Sequence, residues 1–99
     1  MATYITTIKF TEKGIEAIHE SAKRAAEFKA AAKRMGVKVS AIYWTLGYFD
    51  GVVIFDAPDE EAATAAILKL SSHGTVQTTT SRAFGLEEME RIVSLLAKK

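Results

Sequence analysis

The stretch Ile42-Tyr43-Trp44-Thr45-Leu46-Gly47-Tyr48-Phe49-Asp50-Gly51-Val52-Val53-Ile54-Phe55 decides the fold. Two runs rich in β-branched and aromatic residues flank a short break containing Gly and Asp, the pattern of an antiparallel hairpin at the middle of a sheet. Tyr43, Trp44, Tyr48 and Phe49 gather around one turn with an isolated carboxylate, Asp50, so any site is expected to touch this hairpin. Before the turn, a strand over residues 37–46 sets Val37, Val39 and Tyr43 against Ile42, Trp44 and Leu46. After it, residues 51–56 set Val52 and Ile54 against Val53 and Phe55. Apolar side chains on both alternating faces predict central strands covered from both sides.

Working outward, residues 3–10 form a first strand with Tyr4, Ile8 and Phe10 on one face and Ile5 on the other. Thr11 is an N-cap, with Glu12 suited to the positive end of the helix dipole. A helix is predicted from there to Met35, with Ile15, Ile18, Ala22, Ala25, Phe28, Ala32 and Met35 recurring every three or four positions. Glu20 with Arg24, and Lys23 with Glu27, form i,i+4 pairs on its wet side. Gly36 stops it as a left-handed cap. Beyond the hairpin, Pro58 opens a second helix with Asp59, Glu60 and Glu61 in its first turn and Ala63, Ala66, Ile67 and Leu70 as its buried stripe; Gly74 ends it. Residues 75–84 form a last strand whose Thr78-Thr79-Thr80-Ser81 run is β-prone but scarcely apolar, so it reads as an edge or a lining. Residues 86–97 close the chain as a helix with Leu86, Met89, Val93 and Leu96 on one side, followed by Lys98 and Lys99 at its negative end.

The order β-α-β-β-α-β plus a trailing helix is the ferredoxin-like layout, an α+β fold in which both crossover helices cover the same side of a four-stranded antiparallel sheet. With no internal repeat or linker, residues 1–99 read as one domain. The other side lacks cover from within the chain. Trp44, Leu46, Val53 and Phe55 left to water would form an apolar patch of the kind that marks a partner surface, and each large side chain buried there is worth roughly 1.5 to 3 kcal/mol. A second copy is the expected cover, giving a homodimeric α+β barrel with a cavity between facing sheets. Alternatively the trailing helix folds across that face and the protein stays monomeric.

Composition removes several function classes. At 99 residues the chain holds one core that buries roughly 60 to 65% of its unfolded surface, so partner subunits would help it. Thirteen basic against twelve acidic residues give a net charge of +1, with no overall field to draw in nucleic acid or an anionic membrane. The absence of cysteine removes disulfides, iron-sulfur clusters, thiolate zinc sites and cysteine nucleophiles. The N-terminus lacks the basic and apolar regions of a secretory signal, and no run of about 20 apolar residues is present to span a bilayer. The chain reads as soluble and cytoplasmic. An acylphosphatase of this topology needs an Asn, of which there is none, and a metallochaperone needs a Cys pair. The 48–55 stretch resembles an RNA-recognition strand only faintly.

Four stretches in one order carry a family resemblance: residues 10–15 (Phe-Thr-Glu-Lys-Gly-Ile), 43–50 (Tyr-Trp-Thr-Leu-Gly-Tyr-Phe-Asp), 57–62 (Ala-Pro-Asp-Glu-Glu-Ala) and 74–84 (Gly-Thr-Val-Gln-Thr-Thr-Thr-Ser-Arg-Ala-Phe). Together they resemble the GYD-domain family of small bacterial and archaeal proteins, whose implied fold is the dimeric α+β barrel. The eponymous Gly-x-Tyr-Asp pattern falls on Gly47, Tyr48, Phe49 and Asp50, with Phe49 in place of the tyrosine. That exchange removes a phenolic hydroxyl, and Tyr48, pointing the other way, does not substitute for it. The resemblance implies no established activity.

Two functional readings follow. In the first, the chain binds a small, partly apolar molecule or serves as an assembly module, with Tyr43, Trp44, Tyr48 and Phe49 as candidate ligand contacts; the plainer role for Trp44 and Tyr43 is core and dimer packing. In the second, a cofactor-independent enzyme of monooxygenase or isomerase type acts on an aromatic or enolisable substrate, with Asp50 as base and Arg82 as anion stabiliser. The plainer role for Asp50 is a turn residue accepting backbone N–H bonds, and for Arg82 a dimer salt bridge to Asp50 or Asp56. His19 reads as a surface residue, and His73 as a cation suited to the end of the second helix. The two are not spaced as metal ligands, and no cofactor is implied.

Overall fold

Residue pairing along one strand sets the architecture. In the computed structural model, which describes residues 1–97, β1 (Ala2–Phe10) runs antiparallel to both β3 (Gly51–Ala57) and β4 (Val76–Ala83), while β2 (Lys38–Trp44) pairs with β3. The sheet order is β2-β3-β1-β4, so the hairpin supplies one edge and one central strand, and the Thr-rich β4 is the other edge. The helical segments are α1 (Glu12–Glu16), α2 (Ser21–Arg34), α3 (Glu60–Ser71) and α4 (Leu86–Ser94), with 3-10 turns at Ile18–Glu20 and Leu95–Ala97. This is the ferredoxin-like α+β layout that the sequence predicts.

The core lies between the sheet and α2 with α3. Tyr4 faces Phe55, Thr6 faces Val53 and Ile8 faces Gly51 across the β1–β3 pairing. These side chains meet Phe28 and Ala32 of α2 and Ala63 and Ala66 of α3. Thr6 is fully buried, and its hydroxyl is satisfied by the Thr80 hydroxyl at 2.8 Å. Val53 and Phe55 therefore belong to the helix-covered side. This corrects the expected uncovered patch, because the strand that places Tyr4 under the helices fixes its partners there too.

A register shift between Val39 and Ala41 corrects the rest of that patch. The extra residue, Ser40, is a β-bulge that inverts the alternation along β2. Val39, Ile42 and Trp44 then share the helix side, opposite Phe55, Val53 and Gly51, and Tyr43 turns to the uncovered side opposite Val52. Leu46 lies beyond the strand, fully exposed. The uncovered face is built from Ile5, Thr7, Ala41, Tyr43, Val52 and Ile54, flanked by Thr79 and Ser81 of β4.

The first crossover helix is not continuous. α1 is capped by the Thr11 hydroxyl, which accepts from Gly14 N at 3.1 Å, and breaks at Ala17. The cause is tertiary, since neither Pro nor Gly lies at the break. Thr11 N donates to Thr75 O at 3.0 Å and the Thr11 hydroxyl to Gly74 O at 2.7 Å, which ties α1 to the start of β4 before the chain redirects to lie along the sheet. Ile15 and Ile18 consequently remain exposed, and only the later part of the predicted stripe, with Phe28 and Ala32, is buried. α2 ends in a Schellman motif: Val37 N reaches Ala32 O at 2.9 Å, Gly36 N reaches Lys33 O at 3.1 Å, and Gly36 holds φ 79°. For α3 the N-cap is Asp59 rather than Pro58, its carboxylate accepting from Ala62 N at 2.7 Å.

The closing helix does not fold over the uncovered face. No residue of α4 is buried, and Leu86, Met89, Val93 and Leu96 all stand exposed. Lys98 and Lys99 lie outside the described residues. The molecule is elongated, 55 × 31 × 17 Å.

Gly14 is the tightest point of the α1 anchor: a Cβ there would lie 2.1 Å from Thr75 O, a main-chain atom with little freedom to retreat. Gly14→Ala is expected to lower stability by about 2 to 3 kcal/mol, measured as a lower urea midpoint at unchanged slope.

Candidate functional site

The turn between β2 and β3 is held by main-chain and carboxylate bonds rather than by apolar packing. Thr45 N donates to Asp50 O at 2.9 Å and the Thr45 hydroxyl to Phe49 O at 2.6 Å, closing the loop on itself. Asp50 then grips the end of β1: its N–H donates to Ile8 O at 2.7 Å, and its Oδ2 accepts from Phe10 N at 2.8 Å. Gly47 sits at φ 147°, a conformation that side-chain-bearing residues rarely adopt. The Gly47-Tyr48-Phe49-Asp50 stretch thus works as a clamp in which the glycine shapes the turn and the aspartate docks it. Phe49 contributes its carbonyl, and Tyr48, largely exposed, takes Lys9 Nζ over its ring at 4.4 Å.

Arg82 is found elsewhere. It lies opposite Tyr4 near the start of β1, whereas Asp50 holds Phe10 at the other end. Six residues of extended strand separate these positions, about 20 Å. Within one chain the two groups do not converge. Arg82 pairs with Glu88 of α4 at 2.8 Å, with neither Asp50 nor Asp56; its guanidinium also lies 4.6 Å from the Phe84 ring centroid and 5.9 Å from that of Tyr4. Asp56 accepts instead from the Thr3 hydroxyl at 2.5 Å. Glu88 Oε1 accepts from Gly85 N at 3.0 Å, the carboxylate half of a capping box. That backbone bond first, and the Arg82 bond second, hold the Glu88 carboxyl below its ordinary range, while partial desolvation opposes them.

A cavity of about 290 Å³ opens on the helix-covered side, between α2, the end of α3 and the hairpin end of the sheet. Ile8, Phe28, Ile42 and Val53 supply apolar lining. Trp44 forms a wall, its indole N–H donating to the Ser21 hydroxyl at 3.0 Å. Of the aromatic candidates, the structure turns Trp44 toward this cavity; Tyr43 touches its lining although its register position faces the other side of the sheet, and Tyr48 and Phe49 are not among the lining residues. The sequence reading missed Ser21 and Arg24, which line it from α2. Their signal was the spacing Ser21, Arg24, Phe28, Ala31, one face of a helix. The expected Glu20–Arg24 pair does not form, because Glu20 belongs to the 3-10 turn and Arg24 turns inward. His19 is exposed, as is His73 at the cavity rim, and among the described residues no group of three or more His, Cys, Asp or Glu comes together. No helix of the described residues is long and apolar enough to cross a membrane.

Comparison with known proteins gives a consistent picture. The family model described as "GYD domain" matches residues 4–93. A protein of Thermus thermophilus named "Glutamine synthetase and cystathionine beta-lyase binding protein" is 32% identical over 90 residues, covering 90% of this chain and 95% of its own. Among solved structures, TTHA0845 from Thermus thermophilus superposes with a TM-score of 0.56 at 21% identity, covering 86% of this chain and 95% of that one. An ACT domain protein from Streptococcus pneumoniae reaches 0.48 at 15% identity, covering 84% and 90%. The similarity to TTHA0845 supports the fold.

Asp50→Ala leaves Phe10 N without its acceptor and is expected to cost about 1 to 3 kcal/mol, with Asp50→Asn, which keeps an oxygen in place, costing less; thermal melts of the two variants check this order. Because the folded-state value of Glu88 is depressed, its stabilising contribution is full above the unfolded carboxylate range and is lost as pH falls through the folded value. The stability gap between the parent and Glu88→Gln should therefore narrow on acidification, as read by urea titrations from neutral pH downward.

Proposed function

The chain belongs to the GYD-domain family, and from that premise we propose that it is a protein-binding assembly module that pairs with a second copy of itself. One observation carries the reading: two separate apolar surfaces are left uncovered, the sheet face around Ile5, Tyr43, Val52 and Ile54 and the exposed stripe of α4. The sheet face offers a flat footprint of about 450 Å² from four strands of about seven residues. A standard interface removes about 800 Å² of accessible surface from each partner, so α4 reaching across to the second copy would complete the contact. Two sheets meeting face to face about a two-fold axis would form the α+β barrel, with Tyr43 and Ile54 walling a shared chamber for a small, partly apolar molecule. The Thermus thermophilus relative, named for binding two enzymes, supports protein partners for this chain. In this reading the whole chain acts as one domain in the cytoplasm.

The enzyme reading, with Asp50 as base and Arg82 as anion stabiliser, is weaker. Both groups are committed within the chain, Asp50 to Phe10 N and Arg82 to Glu88, and the distance between them has to be bridged by a second subunit.

Sedimentation equilibrium is expected to give a dimer for the parent. Ile54→Lys, which places a charge at the centre of the sheet face, should weaken association by at least about 100-fold with unchanged circular dichroism. A parent that sediments as one subunit at all concentrations would refute the reading.

A further inference from the structure

The helix-side cavity contains a polar group that nothing in the fold uses. Arg24 lines it, and its Nε is shielded from solvent with no hydrogen-bond partner among the described residues. Among the described residues the Arg82–Glu88 bridge is the one ion pair, so Arg24 has no carboxylate partner among them either. A guanidinium is permanently charged and carries a planar fork of donors. An anion in the cavity would give this fork the charged acceptor that the described residues do not supply.

The surroundings suit an anion with an apolar body. Arg34 on α2, Lys69 on α3 and His73 just beyond α3 also line the cavity. Glu27 and Asp50 line it as well, and the Asp50 carboxylate is occupied by Phe10 N. The Trp44 indole is fixed by Ser21, one helical turn before Arg24, so an aromatic plane and a cation are held at the same mouth. About 290 Å³ is at the small end of ligand pockets, too tight for a folded peptide segment.

We propose that this cavity binds a small amphipathic carboxylate, its carboxyl group on the Arg24 guanidinium and its apolar body against Trp44, Phe28, Ile42 and Val53. The site lies on the opposite side of the sheet from the surface assigned above to self-association, and it does not depend on that assignment.

Trp44 is the one tryptophan in the chain, so its emission reports occupancy directly. Titration with phenylacetate is expected to change that emission saturably, while the neutral isostere phenylacetamide binds at least about tenfold more weakly. Arg24→Gln should weaken phenylacetate by about 10- to 100-fold. Ala25→Leu, which fills the cavity from the half-buried α2 position next to Arg24, should abolish binding with the melting temperature retained. Ile54→Lys, on the other face, should bind as the parent does whatever its oligomeric state. No saturable response up to about 10 mM, equal binding of acid and amide, or unchanged affinity in Arg24→Gln would overturn the proposal. Should Arg24→Gln fail to fold, undiminished binding by Ala25→Leu would overturn it equally.

Discussion

Tyr4 and Phe55 stack across β1 and β3 with ring centroids 5.4 Å apart, and the register they share governs the rest of the molecule. Strand side chains alternate strictly between faces, so placing this pair beneath α2 and α3 commits Thr6, Val53, Ile8 and Gly51 to the same side. Ile5, Val52 and Ile54 are committed by the same step to the side that no helix reaches. The uncovered face is thus a geometric consequence of building the core with two helices on one side, rather than a separate feature added to it.

Much of this was legible in the letters. Element order, the hairpin, the α3 stripe and the Gly36 stop all follow from period and from residues with few conformational options. What escaped depends on contacts between distant segments. The break at Ala17 arises because Thr11 and Gly14 are tied to Gly74 and Thr75, some sixty positions away, and no local preference signals it. The Ser40 bulge likewise leaves no mark in a run of β-prone residues, yet it decides which side Tyr43 and Trp44 occupy. The site was read in part for the same reason. Asp50 and the aromatic cluster are visible as local composition, whereas the inward turn of Arg24 becomes visible only once the Glu20 turn is separated from α2.

The family motif acquires a physical meaning from these contacts. Gly47 supplies a backbone angle, Thr45 closes the loop, and Asp50 fastens the hairpin to the last residues of β1. None of these tasks needs the phenolic hydroxyl that Phe49 lacks, since position 49 contributes through its carbonyl. The clamp also borders the cavity, because Asp50 and Gly51 contribute to its lining. A change that loosened the turn would therefore disturb both the sheet end and the pocket beside it.

The bulge in β2 makes that strand behave like a sentence with one inserted letter. Everything read after Ser40 is out of phase with what precedes it, so Val39 and Ile42, an odd and an even position, face the same way. Excising Ser40 would restore the parity and exchange the two aromatic neighbours, sending the indole of Trp44 outward and the phenol of Tyr43 inward. One residue without chemistry of its own thereby sets which aromatic ring belongs to which side of the molecule.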